Sequence, residues 1–539
     1  MNYKLLPALF LIWLSSHGVM ASDPYPVNRD LNVLHYRFYL TVNDSTDEIE
    51  GKSEITFELK GNTPVFFLDL IKKQTDGKGM VITGVGPEQI LSGYRHTENG
   101  RIEITLKKIP TAPTTITIHY QGVPADGLVI GKNKFSSRGF FGDNWPDRGH
   151  HWLACVDHPS DKASVEFIVT APEHYDVVAT GLLKEQSNLG NGTKQHHWIE
   201  KAMVPVKVMT IGIARFAIKH LGNVAGVENS LWVFPENREA GFSDFSPATR
   251  IIDFYSKTWG PFLFGKLAHV QSKTRWGGLE NAGAIFYAER AVNGKNQIEN
   301  LIAHETAHQW FGDGVTEKDW HHVWLSEGFA TYLTHYYNQQ VHGEVTRQDG
   351  MKKDRENILK HPRLNSSPIV DTTITDINQV LSTITYQKAS FVLHMLRKTI
   401  GDDAFLQGVK NYYNAFKEGN ALTSDLQEAL EKSSGTSLGW FFNQWIFSPG
   451  TPEIEVVWQF NKTRKETKVL VKQTSNSVWK FDLGLRIRDL KGEFISDENL
   501  LVSQKEQVFT IKTEENPENL TLDPEVNLLF KGKISRGKL

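Results

Sequence analysis

One spacing constrains this chain more than any other feature. His304-Glu305-Thr306-Ala307-His308 sets two imidazoles four residues apart, and Glu327 follows after eighteen intervening residues. On a helix, positions i and i+4 share a face about one turn apart, so the His304 and His308 rings can converge on one ion. Glu305 is turned about 100° from His304, beside such an ion, where it can act on a water. Ile298, Leu301, Ile302 and Ala303 before the pair, with Trp310 and Phe311 after it, suit a buried helix, and Gly312 suits its stop. A second periodic segment, about 323–337, carries Glu327 near its start. A fold that uses all three ligands must lay these two helices side by side. Two imidazoles, one carboxylate and an open fourth position are the pattern of catalytic zinc, one ion per chain, rather than of a structural site. The plainer alternative is a chance pentapeptide on an ordinary helix, and a second carboxylate in an aromatic-rich helix weighs against it.

Hydrophobic periodicity changes twice along the chain. Between 22 and 222 it is strand-like: Tyr36, Phe38, Leu40 and Val42 alternate with polar residues, as do Ile55, Phe57 and Leu59, and Ile102, Ile104 and Leu106. Asn99-Gly100 and Gly190-Asn191-Gly192 punctuate these runs as turns. From 223 to 449 the pattern is mixed and then helical, with helices expected around 251–259, 386–400, 402–416 and 424–433. Ser448-Pro449-Gly450-Thr451-Pro452 is a break that no helix crosses and reads as a linker. Alternation then returns over 450–539, in Ile454, Val456 and Trp458, Val469 and Val471, and Phe481 to Ile487, which suits a β-sandwich. A chain of 539 residues, 40% hydrophobic, is too long for one core and suits such a division.

Residues 1–21 read as a signal peptide, with Lys4, an apolar run from Leu5 to Leu14, and small residues ending at Ala21. Ser15, Ser16 and His17 interrupt the run, which argues against a stable membrane anchor. The expectation is an extracytoplasmic protein, periplasmic or secreted. A net charge of -3, from 59 basic and 62 acidic residues, gives no reason to expect nucleic acid as a partner. The lone Cys155 excludes an internal disulfide and lacks an activating motif, so it reads as a core thiol. The adjacent pairs His150-His151 and His321-His322 point apart on any regular element, which disfavours a second metal site.

Three motifs carry a family resemblance. HETAHQWFGDGVT, with Glu327-Gly328-Phe329-Ala330 beyond it, resembles the zinc-binding segment of the M1 (gluzincin) aminopeptidases, the family of aminopeptidase N and leukotriene A4 hydrolase. Upstream, Gly277-Gly278-Leu279-Glu280-Asn281 is similar to the family's G-x-M-E-N strand, with Leu where Met is usual. Downstream, Tyr386-Gln387-Lys388-Ala389-Ser390 is similar to its Y-E-K-G-A segment. The resemblance implies a saddle-shaped all-β N-terminal domain, a thermolysin-like α+β catalytic domain and a C-terminal β-sandwich, in a short form without the family's helical C-terminal domain. It also implies that the 277–281 strand borders the substrate cleft, that Glu280 binds the free α-amine of a peptide, and that Tyr386 stabilises the oxyanion.

One position departs from the family. Many members place a Glu or Gln, a further amine ligand, ten residues before the cysteine, and Trp145 stands there instead. Asp143, Asn144 and Asp147 are the nearby substitutes, or Glu280 works alone. The function expected is zinc-dependent removal of N-terminal residues from peptides with a free N-terminus, with Glu305 as general base. The alternatives are a zinc endopeptidase, which would cut N-blocked substrates, and a non-catalytic peptide-binding pseudoenzyme, which would have no need of Glu305. The oligomeric state stays open.

Overall fold

The computed structural model describes residues 30–539, so the expected signal peptide lies outside the described residues. Among those residues no helix is long and apolar enough to cross a membrane.

The N-terminal region is all β. Its largest sheet has seven strands, in the order 182–188, 193–205, 162–172, 31–41, 49–59, 114–123 and 79–86. It is antiparallel except where 31–41 lies parallel to 162–172. The alternation read in the sequence is what buries it: Tyr36, Phe38, Leu40, Ile55 and Phe57 all point into one core. A register shift between Val33 and His35 places Val33 inward as well, three positions from Tyr36, which is the effect of a β-bulge. A three-stranded sheet (65–69, 101–106, 91–96) and a four-stranded one (176–179, 211–214, 138–142, 128–132) complete this region.

A five-stranded mixed sheet follows, in the order 217–224, 227–233, 266–272, 284–288 and 278–279. Gly222, the expected domain boundary, lies inside its first strand at a register shift, with φ of 83°. The hairpin 217–233 is therefore one unit of this sheet. Helices cover and extend it: α1 (Arg238–Asp244), α2 (Ala248–Trp259), α3 (Glu299–His308), α4 (Trp324–His342), α5 (Glu344–Lys360) and α6 (Ala389–Ile400), with three more before residue 446.

The C-terminal region pairs a four-stranded sheet (506–512, 466–473, 453–461, 531–536) with a three-stranded one (494–502, 481–489, 517–522). Ile454, Val456, Trp458, Val469, Val471, Leu483, Leu485 and Ile487 fill the space between them. The 448–452 segment is tied down. Gly450 N–H donates to Leu364 O at 2.7 Å, and the Thr451 hydroxyl donates to Leu529 O at 3.2 Å. Trp445 meets Trp479 at 4.8 Å between ring centroids, and the apolar cores on either side are continuous.

Candidate active site

α3 and α4 lie side by side and antiparallel. Ser326 of α4 meets His308 at one end of α3, and Asn338 meets Asn300 at the other, at 3.0 Å in each case. Ile302, Ala303 and Ala307 bury the far face of α3, which leaves His304 and His308 toward the cleft. α3 ends at His308, and the turn that follows passes through Gly312, with φ of 134°. A β-carbon there would fall 2.4 Å from Ser326 Oγ and 3.0 Å from His308 Nδ1. Only glycine permits both that backbone and the approach of α4.

Three donor atoms converge. His304 Nε2 and His308 Nε2 are 3.2 Å apart, and Glu327 Oε2 lies 3.5 Å and 3.4 Å from them. Zinc bonds of about 2.0–2.1 Å in a tetrahedron require ligand–ligand edges of about 3.3–3.4 Å, so the triad fits the metal. Ser326 Oγ and Phe311 O, at 3.0 Å and 3.3 Å, face His308 Nδ1. With the hydrogen on Nδ1, the Nε2 lone pair is left for a metal. The surrounding charge also calls for a cation. Burial lowers the proton affinity of His308, but Glu327, Glu280 and Glu305 outweigh it and push its pKa up to about 10. Burial raises Glu327, yet the His308 charge and hydrogen bonds from both imidazoles hold it well below the carboxylate range.

The 278–279 strand completes the floor. A β-carbon at Gly278 would fall 2.2 Å from Glu305 Oε1, so this glycine is the space in which the Glu305 carboxylate rests. Gly277 meets nothing closer than a Leu301 methyl at 3.9 Å. Glu280, Glu305 and His308 offer ligand atoms within 4.8 Å of one another, and Glu280 Oε1 is buried without a hydrogen-bond partner. Burial first, then the neighbouring carboxylates, raises the pKa of both Glu280 and Glu305. Gln309 clasps this strand to α3: its Nε2 donates to Glu280 O and Asp313 Oδ2, both at 2.8 Å, and its Oε1 accepts from Gly283 N. Asn281 is fully buried, and its side-chain amide has no partner. Tyr386 sits in a π-helical turn, 384–388, with its ring stacked on His304 at 6.3 Å. Burial and Glu327 raise its pKa well above the usual tyrosine value.

The structure also places the secondary candidates. Trp145 lines the cleft, edge-on to Trp276 and Trp320 at 6.3 Å and 5.9 Å. Its neighbours are engaged elsewhere and do not line the cleft. Arg148 donates to Asp143 at 2.6 Å, and Asn144 donates to Val206 O and Met209 O. Burial raises Asp147 to about 6, outside the cleft. None of the three is a substitute amine ligand. A residue without a local signal does stand near Glu280: Lys207, buried, ion-paired with Glu317 and 5.8 Å and 5.3 Å from the Trp145 and Trp320 rings. His150 and His321 are held by Asp157 and Asp319, and His322 by Thr423. Cys155 is fully buried, and burial pushes its thiol up.

His304, Glu305, His308, Glu327, Glu280 and Tyr386 line a cavity of about 480 Å³. Trp145, Trp276, Leu279 and Glu280 wall one end, and Asn300, Thr334, His335 and Asp354 wall the other.

Comparison with known proteins agrees with the geometry. Residues 32–206 match the peptidase M1 N-terminal domain and 244–445 the peptidase family M1 domain. Over 526 residues the chain is 26% identical to "Probable aminopeptidase 1" of Saccharolobus solfataricus, covering 94% of this chain and 65% of that protein. It is 31% identical to "Aminopeptidase 2" of Candida albicans, covering 83% of this chain and 50% of that one. The chain thus spans less than two thirds of the length of either relative. The fold matches Legionella pneumophila aminopeptidase A, solved with aspartic acid, with a TM-score of 0.78 at 17% identity, over 94% of this chain and 60% of that one. Both regions of the family are present, over 32–206 and 244–445, and the chain belongs to peptidase family M1.

Proposed function

We propose that this protein is a zinc-dependent aminopeptidase, taking single residues from the free N-terminus of peptides. The observation that carries the reading is Glu280 Oε1, buried and unpartnered beside Glu305 and His308. A buried carboxylate without a partner is costly, and a peptide α-ammonium one residue from the scissile bond would satisfy it.

His304, His308 and Glu327 would hold the zinc, which when bound acidifies water and polarises a carbonyl. Glu305, seated against Gly278, takes the proton from the attacking water and returns it to the leaving amine. The Tyr386 hydroxyl donates to the carbonyl oxygen as negative charge develops on it. Trp145 and Trp276 exclude water from the amine end of the cleft.

The test uses fluorogenic aminoacyl amides and their N-acetylated counterparts. The expected result is hydrolysis of the free-amine substrates alone, abolished by chelator and reduced about 10²- to 10⁴-fold in Glu305→Gln. Equal hydrolysis of blocked and free substrates would assign an endopeptidase instead, and binding without turnover a pseudoenzyme. An extracytoplasmic site of action is part of the proposal, and N-terminal sequencing of protein from fractionated cells tests it.

A further inference from the structure

We propose that the end of the cleft away from Glu280 binds a cationic side chain, a Lys or Arg immediately following the residue removed, with Asp354 as counter-charge and His335 as its positioning residue. This rests on the aminopeptidase reading and adds to it the class of peptide preferred.

The direction of the bound chain comes from α3. Glu280 lies beside His308, and His304 and Asn300 follow at one-turn intervals toward the other end. A peptide with its amine at Glu280 therefore runs past His304 toward Asn300. The same end is lined by α4, on which Glu327, Thr331, Thr334 and His335 share one face. Glu327 and His335 are separated by about 12 Å along the axis, a distance suited to a long side chain rather than a short one.

Asp354, on α5, faces this space, with its Oδ2 2.7 Å from His335 Nε2. The imidazole is clamped. A β-carbon at Gly350 would fall 2.8 Å and 2.9 Å from its Cε1 and Nδ1, so a larger residue would displace it. Nδ1 is buried without a partner. A hydrogen there would be an unpaired buried donor, so the hydrogen sits on Nε2 and is donated to Asp354. Asp354 thus accepts one hydrogen bond, from the imidazole. No Lys or Arg pairs with Asp354 among the described residues. Its surroundings, Asn300, Thr331 and Thr334, are uncharged, and Leu301 offers an apolar surface for a methylene stem. An apolar side chain would desolvate the carboxylate without repayment, and an acidic one would meet like charge from Asp354.

The test compares tetrapeptides of the form Leu-X-Ala-Ala with X as Lys, Arg, Leu or Glu. The wild-type protein should favour Lys and Arg over Leu by about tenfold in kcat/KM, through KM, with Glu slowest. Asp354→Asn should bring the Lys-to-Leu ratio near one, and Asp354→Lys should reverse the order of Lys and Glu. His335→Ala should raise KM for the Lys peptide several-fold more than KM for the Leu peptide, a substrate-dependent split that loss of packing alone does not produce. Equal kcat/KM for Lys and Leu in the wild type, or a Lys preference that persists in Asp354→Asn, would overturn this proposal alone. Failure to cleave any of the four peptides would overturn the aminopeptidase reading and this inference with it.

Discussion

At one end of the cleft Glu280 stands 5% exposed, above Asp313 and the Lys207–Glu317 pair and walled by tryptophans. At the other end Asp354 sits on a helix with a side chain 16% exposed, steadied by one imidazole. The first carboxylate shares a charge network with Lys207, Asp313 and Glu317. The second depends on a single neighbour. In the proposed reading, the peptide amine is met by the densely charged end and the variable side chain by the end with a single partner.

That contrast can be broken most directly at Lys207. Lys207→Met leaves Glu317 buried and unpaired, and should destabilise the protein by about 3–5 kcal/mol in urea denaturation. Asp354→Asn should cost less than about 1 kcal/mol. Comparable losses at the two ends would dissolve the distinction. Glu280→Ala is expected to lower kcat/KM for free-amine substrates about 10²- to 10³-fold and to leave N-acetylated ones uncleaved. The Lys-to-Leu ratio at the following position should survive that change, since sites so far apart add independently. A ratio that collapses would show the ends to be coupled. Gly278→Ala sharpens the comparison from the centre. The new methyl group displaces the Glu305 carboxylate, and kcat should fall about 10²-fold with KM little changed, measured on the same amides.

The convergence of His304, His308 and Glu327 was legible because a helix repeats locally, and each can be placed from its own neighbourhood. The strands were legible for the same reason, as alternation at Tyr36–Val42 or Phe481–Ile487 needs no knowledge of the partner strand. What the sequence concealed depends on distant approach. Lys207 and Glu317 are 110 positions apart. Gly278 makes room for Glu305, and Gly350 for His335, across element boundaries that composition does not mark. Ser326 adjoins Glu327 in sequence, but its service to His308 is visible only once α3 and α4 are packed. Glycine and proline as punctuation were ambiguous. Gly222 signals a bulge in an edge strand as readily as a domain end, and the 448–452 break is a pinned crossing rather than a loose tether. Near Trp145 the sequence offered carboxylates, but Asp143 turns away to Arg148 and the Arg275 backbone.

α5 carries more than Gly350 and Asp354. Seven residues before Asp354, the fully buried Arg347 donates to Glu525 O at 2.7 Å and approaches Val526 O at 3.5 Å, both in the C-terminal sandwich. Arg355, next to Asp354, donates to Asp523 and Leu528 O. The helix that presents the second carboxylate is thus anchored on both sides to a domain remote from the metal ligands in sequence. Loosening its grip on Arg347 should therefore disturb the Asp354 end of the cleft and leave the Glu280 end in place.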